Sequence, residues 1–186
     1  MELKLFPHNK KAYEIAVRLM AEKGKAAIIH PTGTGKSFIA FQLALDNPKS
    51  RVCWFSPSEY IFRNQLENLE RFLNGSEMEL SNILFLTYSK LMANEEIIER
   101  LFPEYIVLDE FHRCGAMEWG KSVKKLLDTY PNAKILGLSA TNIRYLDNRR
   151  DMAQEIFEGH IASEMTLGEA IAKKIGKWEN ISFPSC

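Results

Sequence analysis

The stretch HPTGTGKS, residues 30–37, follows the apolar run AAII and precedes the apolar helical pattern SFIAFQLALD. Gly33 and Gly35 accept backbone conformations that other residues rarely adopt, so the chain can turn tightly at the end of a strand. The backbone N–H groups of such a turn converge on one point, and a helix behind them adds the positive end of its dipole. The stretch therefore predicts a strand, an anion-binding turn and a helix in succession.

Four further apolar runs have the same character as the one before the turn. The five predicted strands cover residues 26–30, 51–56, 82–87, 104–109 and 134–139. Helical patterns separate them, and Gly24 stands where the first helix would end. Continuous apolar runs are typical of parallel strands buried on both faces. The alternation predicts an α/β fold: a three-layer, doubly wound, mainly parallel sheet with right-handed crossovers.

Composition sets the class of protein. The chain has 186 residues with 46% hydrophobic and 26% charged residues, which suits one globular domain. The N-terminus lacks the apolar core of a signal peptide, and no apolar run is long enough to cross a bilayer. Three cysteines without metal or disulfide spacing predict free thiols in the cytoplasm. A net charge of +0 excludes a strongly basic nucleic-acid footprint but leaves local patches open.

The turn itself matches the phosphate-loop pattern G-x-G-K-S in its required context of strand and helix. Lys36 is placed to reach the β- and γ-phosphates of a nucleotide, and the Ser37 hydroxyl is a ligand for Mg²⁺. We expect His30 to be a strand-end histidine that packs locally, although the usual pattern has a small residue there. The predicted nucleotide-binding loop comprises Thr32, Gly33, Thr34, Gly35, Lys36 and Ser37.

Two later strands end in polar residues. YIVLDEFHRCG, residues 105–115, is an apolar strand followed by two carboxylates, of which Asp109 is the predicted Mg²⁺ ligand. Glu110 is the predicted base that orients the attacking water. LSAT, residues 138–141, places small hydroxyl residues at the end of another strand, where they can sense a neighbouring site.

Taken together and in this order, PTGTGKS, DEFH and SAT resemble motifs I, II and III of superfamily 2 helicases of the DExH kind. FSPSEYIFRNQ, residues 55–65, and LTYSKLM, residues 86–92, resemble motifs Ia and Ib. The segments around DEFH and SAT are similar to those of helicase-like proteins related to restriction-type translocases. The resemblance implies the first of the two RecA-like domains of such a motor, with ATP and Mg²⁺ as cofactors. Phe111, in place of the alanine of the DEAD form, argues against an ordinary DEAD-box RNA helicase.

The resemblance also implies roles for particular residues. Lys36 and Glu110 would be catalytic, and His112 would connect motif II to Ser139 and Thr141, which couple nucleotide state to domain movement. In LFPHNKKAYE, Asn9 takes the place of an adenine-reading glutamine, with a helix N-cap or first-turn role as the equal alternative. The implied contacts to a DNA or RNA backbone are Ser56, Pro57, Arg63, Thr87, Tyr88 and Lys90.

No second RecA-like pattern and no arginine finger follow in the sequence. We therefore expect residues 1–176 to be the ATP-binding domain and residues 177–186 a tail or the start of an interdomain linker. Two functions remain open: an ATP hydrolase of helicase or translocase type that needs a second domain, and a stand-alone nucleotide- or nucleic-acid-binding module with little hydrolysis. A small-molecule kinase would not explain SAT or the motif Ia resemblance. The sequence does not distinguish DNA from RNA.

Overall fold

The computed structural model describes residues 3–73, 79–115, 117–141, 143–144 and 150–175. The predicted tail, residues 177–186, and the predicted domain boundary before it lie outside these ranges. No helix in the described ranges is both long enough and apolar enough to cross a membrane.

The elements alternate as the sequence predicts. The strands of the main sheet are β1 (Lys25–Ile29), β2 (Val52–Ser56), β3 (Ile83–Thr87), β4 (Tyr105–Asp109), β5 (Lys134–Ser139) and β8 (Ile161–Glu164). The α-helices are α1 (Pro7–Lys23), α2 (Ser37–Asp46), α3 (Glu59–Phe72), α4 (Tyr88–Ala93), α5 (Met117–Thr129), α6 (Met152–Phe157) and α7 (Leu167–Ala172). Two 3-10 helices cover Glu95–Arg100 and Phe111–Gly115, and the short strands β6 (Ile143–Arg144) and β7 (Arg150–Asp151) pair with each other.

The main sheet has the order β3-β2-β4-β5-β1-β8, and all of its pairings are parallel. The five predicted strands are confirmed to within one residue at each end. Strand β8 was not predicted, because its sequence IASE is short and only half apolar. Gly24 ends α1 in the left-handed conformation (φ 77°), as expected of a helix C-cap glycine.

Two hydrophobic cores cover the two faces of this sheet. One contains residues of α1, α2 and α3 and the other contains residues of α4, α5 and α6. The predicted three-layer, doubly wound α/β fold is therefore confirmed. Strand β5 lies between β1 and β4, so the carboxyl ends of these three neighbouring strands meet at one edge, where parallel α/β sheets bind ligands.

Candidate nucleotide-binding site

The turn after β1 has the backbone geometry of an anion cradle. Gly33 and Gly35 take φ values of 88° and 77°, in the left-handed region that favours glycine. Among the described residues, no acceptor is found for the backbone N–H groups of Gly33, Gly35, Lys36 and Ser37. These donors precede and open α2, so they and the helix dipole are available to one anion.

Two side chains from the first turn of α1 hold this loop. Asn9 donates from Nδ2 to the carbonyl oxygens of Thr34 (2.9 Å) and Gly35 (3.0 Å). His8 Nε2 lies 2.8 Å from the same Thr34 oxygen. In a trans peptide the C=O and N–H point in opposite directions, so fixing these carbonyls turns the N–H groups of Gly35 and Lys36 the other way. Asn9 thus orients the donors of the cradle.

Asn9 lies in the first turn of α1, which is one of the positions that the sequence predicts, and the N-cap of the helix is Phe6. Its side chain is completely buried, and its Nδ2 donates to two loop carbonyls, while its Oδ1 has no hydrogen-bond partner among the described residues. The contact with the loop is thus shown, and the adenine contact implied by the resemblance stays a prediction.

Gly35 leaves no room for a side chain. A Cβ atom built there would lie 3.1 Å from Asn9 Nδ2 and 3.2 Å from ring carbons of both Phe6 and Phe38. The close approach of α1 to the loop thus requires a glycine, in addition to the positive φ.

Lys36 faces the carboxylate after β4. Its Nζ lies 3.5 Å from Glu110 Oε1, and both side chains are largely shielded from solvent. Burial alone would raise the pKa of Glu110, but hydrogen bonding to His112 and the charge of Lys36 outweigh it and lower the pKa below its usual value. Glu110 has a φ of 51°, an uncommon conformation for a residue with a side chain and one that occurs at functional sites.

Asp109 is 1% exposed at the end of β4. Its Oδ1 accepts from the Glu110 N–H (3.1 Å), and its Oδ2 accepts from Gln65 Nε2 (2.8 Å) and, more weakly, from Ser56 Oγ (3.4 Å). Burial raises the pKa of Asp109 to about 6, although the hydrogen bond from Gln65 acts in the other direction. A divalent cation bound to Asp109 would stabilise the ionised carboxylate and so offset the cost of its burial.

His112 connects the ends of β4 and β5. Ser139 Oγ donates to the Thr141 carbonyl (2.6 Å), so His112 Nδ1 donates to Ser139 Oγ (2.8 Å). The same Nδ1 lies 3.4 Å from Glu110 Oε2. The structure therefore brings the predicted base and the predicted coupling residues into one hydrogen-bonded group.

The donor set suits a nucleotide with Mg²⁺. The Asp109 carboxylate and the Ser37 hydroxyl are the hard oxygen ligands that Mg²⁺ accepts, with phosphates and waters completing the shell. Gln65 Oε1 is buried without a hydrogen-bond partner among the described residues, which leaves an acceptor for a metal-bound water. No cluster of three or more His, Cys, Asp or Glu side chains that could hold a metal by themselves occurs in the described ranges.

The predicted nucleic-acid residues divide into two groups. Pro57, Arg63 and Lys90 reach the surface, and Lys90 pairs with Glu59. The side chains of Ser56, Thr87 and Tyr88 are buried, and the contact of these residues with nucleic acid stays a prediction. Ser56 is fully buried beside Asp109, Thr87 caps α4, and the Tyr88 hydroxyl donates to the Asp109 carbonyl (2.9 Å).

His30 packs locally, as expected, immediately after the end of β1. It is fully buried, and its Nε2 lies 2.8 Å from Ser163 Oγ on β8. Burial, together with the nearby His8 and Lys36, lowers the pKa of His30 to about 4, so the ring is neutral at neutral pH.

Sequence reasoning missed two residues of the site. Gln65 was seen only as part of a motif, and no local signal shows that it reaches Asp109. The role of His8 was not predicted. The available signal was that His8 and Asn9 are consecutive residues of a first helical turn, and that both side chains can form hydrogen bonds with the loop.

A phosphate loop, a DEFH strand end and a SAT strand end that share one edge of a RecA-like sheet define the ATP-binding domain of superfamily 2 helicases and translocases. The chain is 30% identical over 167 residues to the "Putative helicase 7" of Sulfolobus islandicus filamentous virus, an alignment that covers 76% of this chain and 27% of the viral protein. The chain thus spans about a quarter of that relative's length.

Solved structures share the fold. A nuclease-deletion mutant of the type ISP restriction-modification enzyme LlaGI, in complex with a DNA substrate mimic, superposes with a TM-score of 0.69 at 18% identity, over 92% of this chain and 18% of that one. The Escherichia coli DEAH/RHA helicase HrpB gives a TM-score of 0.64 at 19% identity, over 85% of this chain and 22% of that one. The family "Type III restriction enzyme, res subunit" matches residues 2–144, and the chain belongs to this family.

Proposed function

We propose that this chain binds ATP with Mg²⁺ and serves as the ATP-binding part of a motor that moves along DNA or RNA. The observation that carries the proposal is the row of loop N–H groups that have no partner among the described residues, together with the contact of Lys36 with Glu110, the residue after the buried Asp109. We assign Lys36 to the phosphates and Ser37 to Mg²⁺. When bound, Mg²⁺ would neutralise charge on the phosphates.

Glu110 is the proposed base. The lowered pKa keeps it ionised at neutral pH, and its contact with His112 ties its position to Ser139 on β5. An incoming phosphate would compete with Glu110 for the Lys36 ammonium, which would free the carboxylate to orient water. Hydrolysis at a useful rate also requires a cation that offsets charge on the transferred phosphoryl group, and we assign that role to a second RecA-like domain.

Nucleic acid is the proposed partner. LlaGI was solved with a DNA substrate mimic, and the exposed residues Arg63 and Lys90 lie after the neighbouring strands β2 and β3. We infer that these cations and the adjacent backbone contact phosphates without reading bases.

We also place the protein in the cytoplasm, where ATP is available and the buried thiols of Cys53 and Cys114 stay reduced.

The alternative is a nucleotide-binding module with little hydrolysis of its own. The two functions share the nucleotide site, so the same first experiment applies to both.

The test is calorimetric titration of the chain with ADP and Mg²⁺. Lys36→Ala should raise the Kd by about 10- to 100-fold, since a hydrogen bond to a charged group is worth about 1.5–3 kcal/mol. Lys25→Ala is the matched control, because Lys25 lies at the other end of β1 and pairs with Glu158. Equal affinity of Lys36→Ala and the unmodified chain would reject the proposed site.

A further inference from the structure

Gln65 connects α3 to the carboxylate at the end of β4. We propose that Gln65 is a positioning residue that fixes the Asp109 carboxylate for the metal ion and presents a second oxygen to the water shell of that ion. This inference rests on the proposed nucleotide function and extends it to a residue outside the phosphate loop and the DEFH segment.

The hydrogen bonds of Asp109 show why Gln65 matters. Oδ1 is held by the N–H of the next residue, Glu110, and Oδ2 is held by Gln65 Nε2 at 2.8 Å. Donors on both oxygens fix the rotation of the carboxylate about its Cβ–Cγ bond. Ser56 Oγ, at 3.4 Å, is at the limit of hydrogen bonding, so Gln65 provides the stronger of the two side-chain contacts.

The other half of the same carboxamide is unused. Gln65 Oε1 is buried and has no hydrogen-bond partner among the described residues, and a buried acceptor without a donor is unfavourable. A hydrated Mg²⁺ ion next to Asp109 carries O–H donors, since Mg²⁺ keeps several of its waters when it binds to proteins. Binding of the ion would therefore satisfy an acceptor that the protein itself leaves free.

The position of Gln65 on α3 is well defined. Residues three or four apart on a helix share a face, and Gln65 lies between Phe62 and Leu69 on the buried face. The Phe62 ring stacks on Phe85 of β3 with centroids 3.8 Å apart, and Leu69 is 2% exposed. Ser58 caps the start of the helix by accepting from the Ile61 N–H (3.3 Å). A helix held in this way keeps the Gln65 carboxamide within hydrogen-bond distance of Asp109.

A purely structural role for Gln65 predicts a different result. If Gln65 only filled space, its replacement would lower stability, and it would weaken nucleotide binding equally with and without metal. If Gln65 positions Asp109 for the ion, its replacement should weaken only the metal-dependent part of nucleotide binding.

The experiment measures the Kd for ADP in Mg²⁺ and in EDTA for the unmodified chain, Gln65→Met and Asn68→Met. Methionine keeps the length of the side chain and removes both the donor and the acceptor. Asn68 is an exposed amide on the same helix and serves as the matched control. Gln65→Met should reduce the Mg²⁺ enhancement of affinity by about tenfold or more, with its Kd in EDTA unchanged. Asn68→Met should keep the full enhancement.

A full Mg²⁺ enhancement in Gln65→Met, or an equal loss of affinity in both buffers, would overturn the role of Gln65 while leaving the nucleotide site intact. Failure of the unmodified chain to bind nucleotide in either buffer would instead reject the proposed function, and this inference with it. A second measurement does not depend on the variant folding: the Gln65 side-chain amide signal in the NMR spectrum of the unmodified chain. It should shift when ADP is added with Mg²⁺ and stay in place when ADP is added with EDTA, and the absence of that difference would also overturn the inference.

Discussion

His30 is a buried histidine beside the lysine of the phosphate loop, and its environment resists a second positive charge. The pKa of His30 is lowered to about 4 in the folded chain, from an ordinary value of 6.5. Between these two values the unfolded chain binds more protons than the folded chain, so the contribution of His30 to stability decreases as the pH falls from 6.5 to 4. The contribution of Asp109 to stability changes in the opposite direction. Its pKa is raised to about 6, so this contribution increases as the pH falls through 6.

Comparison with His30→Gln isolates the effect of the histidine. The free energy of unfolding of the unmodified chain, relative to that of the variant, should be constant above pH 7 and fall by up to about 3 kcal/mol towards pH 4. Denaturant unfolding at a series of pH values, without nucleotide, measures it. A difference that stays constant down to pH 4 would show that His30 accepts a proton freely in the folded chain.

At the same scale, the residues that hold the site could be predicted only in part. Lys36, Asp109 and Glu110 can be proposed from the sequence because each stands at or after the end of a strand in a fixed local pattern. Asn9, His8 and Gln65 contact partners on elements that are distant in the sequence. Local sequence patterns do not predict which side chains of such elements contact each other. Burial of Ser56 and Tyr88 was missed for the same reason, since a polar residue after a strand can face either way.

At the scale of elements, β5 must admit two aromatic rings. A Cβ atom added to Gly137 would lie 2.2 Å from the Phe157 ring and 2.9 Å from the Phe111 ring, and these rings contact each other with centroids 4.9 Å apart. The phenylalanine that distinguishes DEFH from the DEAD form is therefore accommodated by a glycine on the neighbouring strand. The contact joins three elements: α6, the segment after β4, and β5. It could not be predicted from the sequence of any one of them alone.

Gly137→Ala should destabilise the chain by about 1–3 kcal/mol, the usual cost of overfilling a packed core. Gly168→Ala is the control, because a Cβ atom there meets only Thr166 Oγ1 at 4.0 Å. Thermal unfolding of both variants measures the difference. A Gly137→Ala variant as stable as Gly168→Ala would contradict the packing described for β5.

The ends of β2 and β3 carry the proposed nucleic-acid contacts. Arg63→Glu combined with Lys90→Glu should weaken binding to single- and double-stranded oligonucleotides by about tenfold at low salt. The slope of the logarithm of affinity against the logarithm of salt concentration should become shallower by an amount that corresponds to about one to two fewer released ions. Arg71→Glu combined with Lys124→Glu makes the same change in net charge elsewhere and should have a smaller effect. Equal loss in both double variants would assign the binding to overall charge, and tight, sequence-selective binding would contradict backbone recognition.

At the scale of the whole molecule, the chain spans 27% of the viral relative and contributes one RecA-like sheet. Steady-state ATP hydrolysis by this chain alone should be negligible, because an arginine supplied from outside such a domain is worth several orders of magnitude in rate. A coupled phosphate-release assay measures it, with and without oligonucleotide. Turnover of about one per second or faster, abolished by Glu110→Gln, would show that the described domain completes its own site.

The overall architecture was the most predictable level. Continuous apolar runs alternating with helical patterns allow few arrangements other than a doubly wound parallel sheet, and the resemblance of the ordered motifs narrowed them further. The added edge strand β8 was missed because Ile161 and Ala162 are too few apolar residues to form a recognisable run. Its pairing with β1 is decided by backbone hydrogen bonding and by contacts such as that between His30 and Ser163, which only the folded chain reveals.

The most direct test of the nucleotide site locates the ligand itself. In a backbone amide NMR titration with a non-hydrolysable ATP analogue and Mg²⁺, the largest shifts should fall on Gly33, Gly35, Lys36 and Ser37, with smaller ones at Asp109 and Glu110. The same titration of Lys36→Ala should leave these signals nearly in place. Shifts concentrated elsewhere, such as in the groove that Lys121, Leu127 and Ile156 line between α5 and α6, would contradict the assignment of this chain as an ATP-binding domain.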